Sequence, residues 1–196
     1  MKVTESLTVD KLVKLSTEEL LKVFRILEPP DLDELKGEYL SRLPLEREEE
    51  VQSYFETTRF GRWLGKAYTV EKVDTYPGQG YNLWLTKSGV LRCSRFAWKI
   101  GKSTLDGKSA LIMHYDAFLN SSGDDGLHDE IRRIKPGLYM GIYHSNIVRK
   151  PFTRGWDEAK NHTLEEVFFL VGPVYDWKGV DDETTEPIRN SIIKGE

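Results

Sequence analysis

His114 and Asp116, two residues apart on an apolar, strand-like run, are the pair in this sequence best suited to proton transfer. Residues i and i+2 of a strand project from one face, so the carboxylate would favour the charged imidazole while burial opposed it. Opposing effects of that kind hold a histidine within reach of neutral acid–base chemistry. The same residues also fit a satisfied core histidine beside a strand-end hydrogen bond, because no third group is visible to orient the ring. Further on, Asp124, Asp125, His128, Asp129 and Glu130 cluster in a polar excursion. Their spacing matches neither a calcium loop nor a zinc site, so a solvated connection is expected and no metal.

Lys66 and Arg95 raise a different chemistry. A basic group among aromatic strands has to find an anion, either a ligand carboxylate or phosphate, or a Glu at the rim reached by snorkelling. Trp63, Trp84, Trp98, Tyr139 and Tyr143 would then line a pocket for an apolar ligand, or equally fill a solid core. Simple alternation puts Arg95 on the face of Leu91, Cys93 and Ala97, opposite Phe96 and Trp98.

The elements that must position these groups divide the chain in two. Ser16-Thr-Glu-Glu19 has the form of a capping box, and Leu20, Leu21, Val23, Phe24 and Leu27 follow at helical spacing until Pro29 and Pro30 stop them. Shorter helical signals surround Val9 to Leu15 and Asp31 to Glu34, and the acidic run from Glu46 to Phe55 suits a helix with its charges toward the N-terminal end. From Arg62 the pattern changes to aromatic and β-branched strands separated by Gly and Pro turns. Strands are expected at 39–43, 63–73, 81–86, 90–100, 110–118, 130–134, 138–144 and 166–171. Several carry bulky residues on both faces, a pattern that suits a closed barrel around a cavity. The expected organisation is one barrel domain over 1–178, helical over about 8–56 with the main strands at 58–174, followed by a mobile polar tail at 179–196.

Composition limits the partners. With 39% hydrophobic residues in 196, one domain can bury a core. Charged residues make up 31% at a net charge of -4 and a pI near 5.7, so no global field draws nucleic acid. Cys93 is the single cysteine, which excludes an internal disulfide. There is no basic-then-apolar leader and no long apolar run, so a cytoplasmic protein without a membrane span is expected. Nucleotide-binding glycine loops, Gly-x-Ser-x-Gly and His-Glu-x-x-His are missing, and no cofactor is expected.

The order of landmarks resembles the GXWXG-type proteins with their associated domain of unknown function. These landmarks are Gly37-Glu-Tyr39, Trp63-Leu-Gly-Lys66-Ala-Tyr68, Met113-His-Tyr-Asp116 and Asp129-Glu-Ile-Arg132. The resemblance spans most of 16–171; Tyr39, Ser41, Leu64 and Ile131 depart from the family's Trp, Gly and aromatic positions. It implies a lipocalin-like antiparallel β-barrel of about eight strands for small apolar compounds, with Asp129 and Arg132 as an ion pair at the rim. The expected function is binding of a small hydrophobic or amphipathic ligand through Trp63, Lys66, Trp84, Arg95, Tyr139 and Tyr143. An alternative is a cofactor-independent isomerase or cyclase in the same cavity, using His114 and Asp116. A third reading makes the acidic helix at 46–54 an interaction surface, and exposed barrel surface leaves a homodimer open.

Overall fold

The computed structural model describes residues 6–56, 61–120, 127–144 and 166–181. Eight antiparallel strands close in chain order into a barrel, β8 pairing back onto β1. They are β1 (Gly37–Arg42), β2 (Arg62–Thr69), β3 (Gly78–Thr86), β4 (Gly89–Lys102), β5 (Ser109–His114), β6 (His128–Lys135), β7 (Leu138–His144) and β8 (Glu166–Tyr175). Every strand expected from the turn signals is present. The run at 110–118 is not one strand, however: β5 stops at His114 and Tyr115–Ala117 form a turn of 3-10 helix, so Asp116 leaves the sheet. Asp124 and Asp125 of the polar excursion, and the tail from residue 182, lie outside the described residues.

Among the described residues three α-helices decorate the barrel, α1 (Val9–Leu12), α2 (Thr17–Phe24) and α3 (Leu45–Glu56). The capping box of α2 forms as its sequence dictates, with Ser16 and Glu19 bonding each other's backbone amides. Leu12, Leu20, Phe24 and Leu27 of the helical segment bury against Ile134, Met140, Ile142, Val167 and Phe169, the outward-facing side chains of β6, β7 and β8. Bulky residues on both faces of these strands therefore have two separate causes. The inner ones line the lumen, and the outer ones carry helices.

Arg132 fixes that packing. Fully buried on the outer wall, it donates to the Phe24 carbonyl (2.9 Å) and the Ser109 carbonyl (3.0 Å), lies over the Phe24 ring at 4.5 Å, and makes two bonds to Asp106 at 2.8 and 2.7 Å. The expected Asp129–Arg132 ion pair does not form. The two positions are three apart on β6, so pleat alternation turns Asp129 into the lumen and Arg132 out of it.

The end of the domain and the first residues of the expected tail, 177–181, lie against the wall. Trp177 stacks on Tyr81 with ring centroids 4.5 Å apart, the Lys178 amide donates to the Tyr81 hydroxyl, and Asp181 exchanges bonds with the Arg92 backbone. Beneath this strap, buried Glu38 accepts from Tyr81 (2.9 Å) and Arg92 (2.6 Å). Burial raises the Tyr81 hydroxyl to about 12.

Two carboxyls on the outer wall are held at about 2: Asp106 by the bonds from Arg132, and Glu130, against its burial, by bonds from His128, Ser103 and Thr104. Both release their protons in an unfolded chain only near their ordinary values of about 4. Their contribution is thus complete above about pH 5 and is lost as pH falls toward 2. Urea-midpoint stability should follow that course. In Asp106→Asn the pH 5 value should drop and the slope between pH 4 and 2 should flatten; an unchanged slope would refute the Arg132 clamp.

Candidate functional site

The lumen has two unlike ends. At one, the turn after α2 folds across the opening: Leu35 plugs it, Glu34 accepts from the Tyr139 hydroxyl (2.8 Å) and pairs with Arg133 (2.9 Å), and the rings of Tyr39 and Tyr139 meet edge to face at 5.6 Å. Burial, then the Glu34 carboxylate, keep the Tyr139 hydroxyl protonated far above its ordinary range. This end is closed and its aromatics are core.

At the other end, α3 leans on the barrel. Val51 joins the luminal cluster, Arg47 pairs with Glu166 at 2.7 Å, and Gln52 donates to the Trp63 carbonyl at 3.3 Å. The lumen just inside is lined by Trp63, Trp84 and Phe168, with the partly buried Leu91 and Tyr143 packed beside them. Among these apolar groups sits a polar cluster. The Lys66 ammonium donates to Asn82 Oδ1 (2.7 Å) and the Tyr115 hydroxyl (2.6 Å), and pairs with Asp129 Oδ2 at 2.6 Å. Four rings surround it, those of Trp63, Phe96, Tyr115 and Phe168, at 5.3, 5.5, 5.3 and 5.6 Å from the nitrogen.

Counting valences shows how complete the cluster is. An ammonium has three protons, and all three are directed at these acceptors. Tyr115 donates to Asp129 Oδ2 (2.8 Å) and accepts from Lys66 and from Asn82 Nδ2 (3.1 Å). Asn82 Oδ1 also takes the Trp63 indole proton at 3.1 Å. Asp129, 1% exposed, is left with one unused position: its Oδ1 accepts no hydrogen bond among the described residues. The Gln52 amide oxygen on α3 is a second buried acceptor of that kind.

Two breaks in strand alternation build this arrangement. Trp63 and Lys66 are three apart and would face opposite ways on a regular strand. Between them the β2–β3 register slips at Gly65, whose φ of 145° suits glycine and whose Cβ, if present, would lie 2.0 Å from the Tyr39 carbonyl oxygen. A second break occurs at Ser94 (φ 57°), where the β3–β4 register also slips, so that Cys93 and Phe96 both join the luminal cluster. Across the lumen, Gly141 leaves room for the Phe168 ring, which a Cβ would meet at 2.1 Å.

Of the residues expected to bind a ligand, Trp63, Lys66, Trp84 and Tyr143 come together at the α3 end. Tyr139 is at the closed end. Arg95 is on the outer wall, bonded to Gln79 (2.5 Å) and lying over Phe118 at 4.1 Å; the break at Ser94 separates it from the face of Cys93. The anion expected for Lys66 is supplied by the protein itself, through Asp129. His114 also faces outward, since its neighbours Leu111 and Met113 point into the lumen; it contacts Tyr76 (5.2 Å) and stands 4.0 Å from Asp116. An acid–base pair inside the barrel is therefore not made by His114 and Asp116. Asn82, Tyr115 and the luminal role of Asp129 went unrecognised in the sequence, although Gly65 between Trp63 and Lys66 carried the signal of a bulge.

Among the described residues no helix is long and apolar enough to cross a membrane, and no group of three or more His, Cys, Asp or Glu has the geometry of a metal site. No family model matches the sequence, and no curated protein does. In fold the chain is similar to a crystal structure of a protein from Thermomonospora curvata, with a TM-score of 0.54 at 12% identity, over 87% of this chain and 98% of that one.

Removing one member of a buried ion pair strands the other charge in a dry site. Lys66→Met should therefore cost about 3–5 kcal/mol of unfolding free energy, while Lys66→Met combined with Asp129→Leu should recover most of it. Equilibrium denaturation of the two variants checks this; a loss below about 1 kcal/mol for Lys66→Met would mean that the pair is solvated.

Proposed function

We propose that the barrel takes up a small, mainly apolar molecule through the end flanked by α3, holding it among Trp63, Trp84, Leu91, Tyr143 and Phe168. The observation that carries this reading is the polar cluster at Lys66. Apolar residues of the same volume would fill a merely structural core at lower desolvation cost. A charge pair neutralised within the protein, ringed by aromatics and retaining one open carboxylate oxygen, instead suits recognition of a ligand that is apolar with a polar point. The resemblance of Trp63–Tyr68 and Asp129–Arg132 to GXWXG-type motifs, which implies a barrel for small apolar compounds, supports the same reading, as does the difference between the two ends. Among the described residues, the seal of a turn and a Tyr–Glu bond stands at the end opposite α3.

The proposal is for binding. The isomerase or cyclase alternative loses its named pair, because His114 faces outward and Asp116 lies past the end of β5.

Titration with the neutral fluorescent probe N-phenyl-1-naphthylamine should give saturable one-to-one binding, seen also in native mass spectrometry. Tyr143→Ala should weaken it about tenfold through lost apolar contact, and His114→Asn should leave it within about twofold. Absence of saturable binding, or its loss in His114→Asn alone, would contradict the proposal.

A further inference from the structure

We infer that the luminal site selects ligands bearing a hydrogen-bond donor, such as alcohols and phenols, and rejects carboxylates of the same shape. The inference rests on the container reading above and adds to it the polarity of what is held. It is the reverse of what a luminal lysine suggests on its own. A lysine within an apolar barrel is the usual mark of an anion site, but all three protons of the Lys66 ammonium are already committed, to Asn82, Tyr115 and Asp129. Its charge is cancelled at 2.6 Å by the Asp129 carboxylate. A ligand anion arriving here would meet no spare donor in this cluster and would place a second negative charge beside Asp129, in surroundings that screen it poorly.

Two buried oxygens near the cluster have open valences, and both accept. Asp129 Oδ1 is buried and accepts no hydrogen bond among the described residues, and the Gln52 oxygen is likewise open, its assignment fixed because the Gln52 NH2 group faces the Trp63 carbonyl. Both are acceptors, and a carboxylate oxygen is the stronger of the two. A neutral O–H or N–H directed at Asp129 Oδ1 gains a charge-assisted hydrogen bond and completes the cluster. An ether or hydrocarbon of the same shape leaves that oxygen desolvated with nothing to accept, and a carboxylate adds repulsion. Discrimination built on an otherwise unpaired buried group is much larger than discrimination by apolar fit.

Isothermal titration calorimetry of the full chain at pH 7 with 2-naphthol, 2-methoxynaphthalene and 2-naphthoate tests this directly. The expected result is 2-naphthol binding about tenfold to a hundredfold more tightly than 2-methoxynaphthalene, with 2-naphthoate weakest. Asp129→Asn should bring 2-naphthol and 2-methoxynaphthalene to within a few-fold of each other, and the wild-type series stands without it should that variant not fold. Equal affinities for 2-naphthol and 2-naphthoate would overturn the donor selectivity and leave the container intact. No binding of any of the three, nor of N-phenyl-1-naphthylamine, would overturn both.

Discussion

A single ion pair inside the lumen, Lys66 with Asp129, governs how the rest of this barrel has to be built. Charges survive in such a place only if each proton and lone pair is accounted for, and Asn82, Tyr115 and Trp63 are placed to do that. The pair ties β2 to β6 across the barrel, with β3 bonded through Asn82 and the end of β5 through Tyr115. The cluster thus lies at one level of the lumen and divides it. Tyr39, Tyr68, Trp98, Leu35 and Tyr139 pack on the sealed side, and the proposed binding volume is on the α3 side.

The outer wall obeys a separate logic. Arg132 and Glu130, neighbours in sequence to the luminal Asp129 and Ile131, serve the outside: one clamps α2, and the other ties down the β4–β5 turn through Thr104 at 2.6 Å. Strand β6 therefore carries buried charge on both faces, which an ordinary two-sided sheet could not tolerate. Each charge has its own partner from a different part of the chain, Lys66 from β2 or Asp106 from the β4–β5 turn. One strand couples the helical cover to the interior.

Much of this was legible in the sequence, because turns and capping are local. The capping box at Ser16, the Gly and Pro turns and the aromatic runs locate α2 and all eight strands. What simple alternation could not give was the facing of particular side chains, since a bulge inverts every assignment beyond it. Gly65 turns Lys66 to the same side as Trp63, and Ser94 separates Arg95 from Cys93. The pairing of His114 with Asp116 failed for a related reason: an i, i+2 argument requires the strand to continue, and β5 ends at His114. Partner choice was equally hidden. Nothing local distinguishes Arg132 from Lys66 as the mate of Asp129; only closure of the barrel brings positions 66 and 129 together.

The most direct measurement is proton-detected nitrogen NMR of the lysine side chains. Most lysine ammonium groups exchange with water too fast to be seen, whereas Lys66, 3% exposed and bonded on three sides, should give one protected NH3+ resonance. That resonance should shift when a donor ligand engages Asp129 and should vanish or move far in Asp129→Asn. A Lys66 ammonium in rapid exchange, with no protected signal in the folded protein, would contradict the account at its base.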